Sequence, residues 1–280
     1  VGGMQLFRTE SFETADKVIP RATQLAGGIF AVYTGLTILW TAMLAGAGMP
    51  SFDALAHAMT TLATGGYSTK TSSVGAFDSH LIELIIIAGM IVGSLPFVHY
   101  LALTRGGWKG LWNDPQVKWF VVLMAAVIAL ITVDLNKDGY GWTDALRLSS
   151  FNAISVLTGT GYGTADFALW GGLSTTILLI CMFIGGCAGS TTCGIKMFRL
   201  QVLAANIKVQ LARLLRPHAV VIAYYNKRPV TEPVMDAVMG FFYLYILCFV
   251  ALTMILGVFG LDFQTALSGA ATSISNVGPG

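Results

Sequence analysis

The sequence predicts an all-α polytopic membrane protein, built of repeated span–short helix–span units with re-entrant loops around one pore. Three observations predict it. Charged residues make up 11% of the 280 residues and apolar residues 55%, with a mean hydropathy of +0.72; a soluble domain carries about 25% charged residues. The apolar residues gather into stretches near the ~20 residues that cross a bilayer. Between these stretches, three shorter segments align with one another on a glycine. A net charge of +2, with no basic run interleaved with aromatics, gives no ground for nucleic-acid binding; the lipid bilayer is the expected surrounding.

Taken in order, the predicted spans are residues 22–52, 84–104, 119–133, 167–195 and 237–261. The third is short, and Lys118 and Asp134 at its ends are expected to snorkel to the interfaces. Residues 53–63, 144–157 and 263–275 are too short to cross and too apolar for solvated loops. They read as re-entrant helices, which a bilayer tolerates only where the turning backbone lines a cavity or is buried in protein. With the N-terminal side cytoplasmic, every Lys and Arg except Lys70, Lys137 and Arg147 lies inside, as the positive-inside rule requires. Against those three bases the outer side carries Asp53, Asp78, Glu83, Asp134, Asp138, Asp144, Asp166 and Asp262, so its net negative charge would attract cations.

The repeats are DALAHAMTTLATGGYST at 53–69, LSSFNAISVLTGTGYGT at 148–164 and TALSGAATSISNVGPG at 265–280. They align without gaps on Gly66, Gly161 and Gly278. Ala58, Ala153 and Ala270 coincide, as do the hydroxyls Thr60, Ser155 and Thr272 and the aliphatics Leu62, Leu157 and Ile274.

A monovalent cation inside a bilayer must recover the oxygens of its lost water shell, and rings of backbone carbonyls supply them. Aiming successive carbonyls at one axis demands backbone angles that glycine tolerates best. A short helix entering from outside also points its negative C-terminal end at the pore centre. The loops that follow the three short helices are therefore candidate selectivity-filter loops. Their candidate carbonyl donors are Thr64, Gly65 and Gly66, then Gly159, Thr160 and Gly161, then Asn276, Val277 and Gly278. A plain turn is the alternative for any one loop taken alone.

The block GGCAGSTTCGIK at 185–196 interrupts the fourth span, and each glycine costs a helix about 1 kcal/mol. One reading is close small-residue helix packing. The other is an unwound stretch below the filter that obstructs or opens the path, with Gly185, Gly186, Gly189, Ser190, Thr191, Thr192, Gly194 and Lys196 as gate residues. Lys196 is either an electrostatic element of that gate or a snorkelling anchor. His57 is expected in packing or hydrogen bonding; His80, His99 and His218 lack metal-ligand spacing. Cys181, Cys187, Cys193 and Cys248 form no C-x-x-C pair and read as small buried hydrophobes. No catalytic residue and no transition-metal site is expected.

These motifs resemble the Trk/Ktr/HKT superfamily of cation transporters, most closely its bacterial Trk-type potassium-uptake branch. The carriers are ATGGYST at 63–69, TGTGYGT at 158–164, GGCAGSTTCGIK at 185–196 and SNVGPG at 275–280. The resemblance implies four span–pore helix–span repeats around one pore in the bacterial inner (plasma) membrane, with potassium as transported substrate and no covalently bound cofactor. It implies a cytoplasmic N-terminal segment at 1–21, a second repeat at 22–104 (filter 64–68) and a cytoplasmic loop at 105–116. A third repeat follows at 117–200 (filter 158–163, intramembrane loop 185–196), then a cytoplasmic connection at 201–233 and part of a fourth repeat at 234–280 (filter 276–280). Both ends read as cut, leaving out the first repeat and a last span that carries the family's positively charged residue. The resemblance further implies a homodimer and a cytosolic nucleotide-binding regulatory ring. Residues 208–228 are a candidate contact for that ring, a solvated juxtamembrane helix being the other reading.

Three alternatives stay open at this level. A sodium-permeable or sodium-coupled relative shares the fold, and the missing first filter would decide between the ions. An intramembrane hydrolase would need a nucleophile such as Ser190, but the G-x-S-G of rhomboid-type proteases is absent and no histidine is obviously placed to activate it. A carrier with re-entrant hairpins predicts inverted repeats, whereas these share one orientation.

Overall fold

A computed structural model describes residues 22–103, 109–216, 221–226 and 228–279. Expectations placed on residues 1–21, on 104–108 with Arg105, on the side chain of Lys109, and on His218, Lys227 and Gly280 lie outside the described residues. The first apolar stretch divides in two. Helix α1 (Ala22–Gly46) ends in a turn through Gly48, whose φ of +96° a side chain would resist. Pro50 then starts α2 (Ser51–Leu62), the first short helix.

The second stretch is not a straight span. Helix α3 (His80–Ser94) is capped by the Ser79 side chain and stops at Leu95 because Pro96 drives the residue before it out of helical torsions; Leu95 sits at φ −92°, ψ 157°. Helix α4 (Phe97–Leu103) leaves at 96° to it. After α5 (Lys109–Asn113), Asp114 caps α6 (Pro115–Lys137) by accepting from Gln116 N, with Pro115 pre-set for the first turn. At 23 residues, or about 34 Å, α6 is long enough to cross without help. At its end Asp134 is tied to the next helix: its Oδ2 takes Ser174 Oγ at 2.6 Å and Ser174 N at 3.0 Å.

Helix α7 (Trp142–Leu157) is the second short helix. The expected fourth span is helical only over α8 (Gly172–Met182). Its second half is irregular because Gly189 and Gly194 take positive φ and the backbone bonds to itself instead of continuing the helix. Helix α9 (Met197–Leu215) follows, then a two-stranded hairpin of β1 (Tyr224–Tyr225) and β2 (Arg228–Pro229), paired antiparallel. Helix α10 (Glu232–Val258) and α11 (Phe263–Ser275), capped by Asp262, complete the described chain. Among the described residues, three helices are long and apolar enough to cross a membrane, four if the bent α3–α4 pair counts as one. This replaces the five continuous spans expected.

Each short helix packs on the long helix before it: α2 on α1, α7 on α6 and α11 on α10. The units then join through α3 against α7 and α8 against α11, where Arg147 Nη1 reaches Glu83 Oε1 at 3.4 Å. Small residues make the close packing possible: Ala54, Ala58, Ala145, Ala153, Ala266, Ala270 and Ala271 are all buried. Outward, α10 presents Tyr243, Leu247, Met254 and Val258, the apolar surface a helix in lipid must show. All four thiols are free. Cys181 and Cys187 are buried, but Cys193 and Cys248 are exposed, against the expectation of four buried thiols.

Candidate functional site

The three short helices share one design. Asp53 lies in the first turn of α2, Asp144 in that of α7, and Asp262 caps α11, where each negative charge suits the positive end of a helix. No basic residue occupies any of the three last turns, so the negative helix ends abut the glycine loops unneutralised.

Each loop hangs from the same residue of its own helix. Thr60 O accepts Gly65 N (2.8 Å) and Gly66 N (3.3 Å), Ser155 O accepts Thr160 N (3.0 Å) and Gly161 N (3.3 Å), and Thr272 O accepts Val277 N (3.0 Å). The hydroxyls of these residues take a second hold. Thr60 Oγ1 donates to Tyr67 O at 2.9 Å and Ser155 Oγ to Tyr162 O at 2.7 Å. In the third loop Thr272 Oγ1 instead accepts from Gly278 N at 2.8 Å.

The torsions repeat as well. φ is +50° at Thr64, +64° at Gly159 and +55° at Asn276, and again positive at Gly66 (+65°), Gly161 (+84°) and Gly278 (+106°). Gly65, Thr160 and Val277 between them are not in that region. In an ordinary strand successive carbonyls alternate sides; inverting every second φ cancels the alternation and turns neighbouring carbonyls to one side. Asn tolerates the left-handed region, whereas a β-branched Thr there is an outlier. Thr64 is held in place by its hydroxyl, 2.8 Å from Ala63 O and 3.2 Å from Thr191 Oγ1.

The loops stand edge to edge. A Cβ on Gly66 would fall onto the carbonyl oxygen of Thr160, and a Cβ on Gly161 onto that of Val277. In the alignment these are the same contact, moved on by one repeat. The structure therefore brings together all nine expected loop residues, in three loops related by one repeated step.

The irregular segment after α8 packs against all three. Ile184 bridges Ile195, and Gly185 N donates to Ile195 O at 2.9 Å, closing the segment on itself. Thr191 Oγ1 lies 2.9 Å from Leu62 O at the end of α2 and 3.0 Å from Gly93 O. Cys193 N would lie 3.9 Å from a Cβ built on Gly159, as would Ser275 O, and Cys193 Sγ lies 3.8 Å from Asn276 Nδ2. Other elements hold the flanks: Ser94 O accepts Cys187 N (3.0 Å), Gly189 O accepts Phe97 N (3.0 Å), and Gln116 Oε1 accepts Ala188 N (2.8 Å). Gly186 N donates to Thr192 Oγ1 at 3.0 Å, and Ser190 Oγ lies 2.8 Å from the same oxygen. Lys196 stands apart as the N-cap of α9 and makes no ion pair among the described residues.

The family model described as TrkH, cation transport protein, matches residues 1–280. The chain belongs to the TrkH family. Among its relatives, the Trk system potassium uptake protein TrkI of Halomonas elongata is 39% identical over 282 residues, covering 100% of this chain and 57% of that protein. The TrkH potassium uptake protein of Vibrio parahaemolyticus is 35% identical over 288 residues, 100% of this chain and 59% of that one. The crystal structure of the potassium transporter TrkH from Vibrio parahaemolyticus matches with a TM-score of 0.87 at 34% identity, over 94% of this chain and 57% of that chain. This chain thus spans less than three-fifths of the length of these relatives. TrkH is a family of transport proteins, not of enzymes, which closes the hydrolase alternative.

In this TrkH-family chain two sets of residues escaped the sequence reading. Ser94 and Gln116 hold the irregular segment from other helices, and no local pattern marks them. Tyr162 looked like part of a filter motif but is turned away and buried, 1% exposed, whereas Tyr67 at the matching position is 78% exposed. His57 does pack and hydrogen-bond as expected, with Nδ1 2.8 Å from Asp53 O and Nε2 2.9 Å from Ser68 Oγ.

Proposed function

We propose that this chain lines most of a pore through which potassium crosses the bacterial plasma membrane, with Thr64–Gly66, Gly159–Gly161 and Asn276–Gly278 supplying backbone oxygens to the dehydrated ion. One observation carries the proposal: three loops with the same alternating torsions, each hung from its own short helix, pack so that Gly66 seats the second loop's carbonyl and Gly161 the third's. Carbonyl oxygens turned to one side at the negative ends of short helices suit a monovalent cation without requiring a fixed countercharge. The relatives' names as potassium uptake proteins support the choice of ion.

Residues 185–196 act as the gate in this proposal, since the segment is irregular, sits against all three loops and is fastened by side-chain and inter-helix hydrogen bonds rather than by a regular helical ladder. The complete protein works as a homodimer, and a cytosolic nucleotide-binding ring sets the gate from the inner face, where residues 208–228 are the surface offered to it. The decisive experiment is a flux assay on the full-length protein reconstituted in vesicles. Gly161→Ser lowers the preference for potassium over sodium; an unchanged preference in a correctly folded variant defeats the filter assignment.

A further inference from the structure

Tyr162 is the largest fully buried side chain in the described structure, and it crosses from one repeat into another. Its carbonyl is held by Ser155 of its own short helix at 2.7 Å. Its hydroxyl lies 2.5 Å from Thr60 Oγ1, 3.3 Å from Thr61 Oγ1 and 3.2 Å from His57 O, all on α2 of the preceding repeat. Its ring stacks on His57, centroids 5.7 Å apart and planes at 27°. His57 is fixed in turn by Asp53 O, Ser68 Oγ and the edge of Phe77, 5.2 Å away.

Thr60 Oγ1 lies 2.9 Å from Tyr67 O and 2.9 Å from Ala56 O, and the Tyr162 hydroxyl shares the same oxygen. Thr61 donates to the Tyr162 hydroxyl, whose own proton faces Thr60 Oγ1 and His57 O. These contacts form a chain from the second loop's tyrosine through Thr60 to the backbone of the first loop. Thr60 O holds the N–H groups of Gly65 and Gly66 as well, so Tyr162 grips the residue from which the whole first loop hangs. At the matching positions Tyr67 is exposed and Pro279 has no hydroxyl. The tie therefore occurs at one junction and not at the next.

We infer that Tyr162 is a specificity-determining positioning residue: its hydroxyl, bonded to Thr60, sets the spacing between the first and second loops and thereby the size of cation their carbonyls accept. The inference rests on the filter reading above. Tyr162 does not touch the ion; it acts through the two loops.

The test measures potassium and sodium flux in vesicles containing the full-length protein with Tyr162→Phe, Thr60→Val, both together, or Gly161→Ser. Tyr162→Phe and Thr60→Val each lower the potassium-to-sodium ratio about tenfold, the ratio equivalent to ~1.4 kcal/mol, and the double variant falls no further than the worse single one. A ratio is independent of how much folded protein each vesicle holds, so loss of stability alone does not move it. If Gly161→Ser lowers the ratio while Tyr162→Phe keeps it, the tyrosine inference is wrong and the filter stands. If neither variant changes it, both are wrong. Should Tyr162→Phe fail to fold, Thr60→Ser and Thr60→Val test the same chain from its other end: the serine variant retains the ratio and the valine variant loses it, and equal ratios overturn the inference.

Discussion

Residues 158–163 and residues 185–196 are both rich in glycine, yet they are held in different ways. The backbone of the first is held chiefly by Ser155, a few residues back on the helix it follows, with the Tyr162 hydroxyl adding a tie to α2. The second takes its hydrogen bonds from Gly93, Ser94 and Phe97 at the α3–α4 break and from Gln116 on α6. In the proposed function the difference separates two jobs. A loop fastened to its own helix and wedged against its neighbours keeps one shape, which an ion-selecting site needs. A segment fastened by scattered contacts can be released by small movements of the helices that hold it, which a gate needs.

The largest predicted effect strikes the rigid side of that comparison. Gly66→Ala and Gly161→Ala each place a methyl on the next loop's carbonyl and force alanine into left-handed torsions at roughly 1–2 kcal/mol. Both should abolish selective potassium flux in the full-length protein. Gly35→Ala, in open space within α1, should instead raise thermal stability, by up to about 1 kcal/mol. If Gly66 and Gly35 respond alike, packing between the loops is not what confines them.

Next comes Gly186→Ala, whose methyl would sit 2.9 Å from Ser94 O and loosen the irregular segment. Potassium flux should rise several-fold with the potassium-to-sodium ratio intact; a changed ratio with an unchanged rate would erase the division of labour. Thr191→Val keeps the shape of the side chain and removes the hydroxyl bonded to Leu62 O and Gly93 O, a loss of about 1 kcal/mol. It should raise flux in the same way, by less.

The smallest effect depends on pH. The Thr265 hydroxyl and backbone N–H hold the Asp262 carboxyl below the usual carboxylate range. A carboxyl lowered in the folded state adds stability above its unfolded pKa of about 4, and that contribution disappears as pH falls through the folded value. Melting curves of Asp262→Asn and the parent protein should differ at neutral pH and converge in acid, with no change in gating.

The same comparison explains what could be read from the sequence. The short helices and their loops were legible because one alignment on Gly66, Gly161 and Gly278 carries the hydroxyl, the carbonyl donor and the glycine that build them. The transmembrane helices were partly legible. Hydropathy located α1, α6 and α10, but it could not register the 96° break that Pro96 imposes or the irregular half of the fourth stretch. Nor could a charge at a span end announce the partner of Asp134, Ser174, which lies 40 residues away. The contacts of Ser94, Gln116 and Thr191 obey no local spacing, since they form only when distant helices meet. Tyr162 was ambiguous for the same reason: a tyrosine after a filter glycine points outward in one repeat and across the boundary in the next.

The seating of Thr160 O on Gly66 and of Val277 O on Gly161 bears on how such a protein diverges. Copies made by duplication ordinarily drift apart, since one can cover for another. Here the first copy supplies a surface on which the second rests, and the second one for the third, so a larger side chain in one copy is felt first in its neighbour.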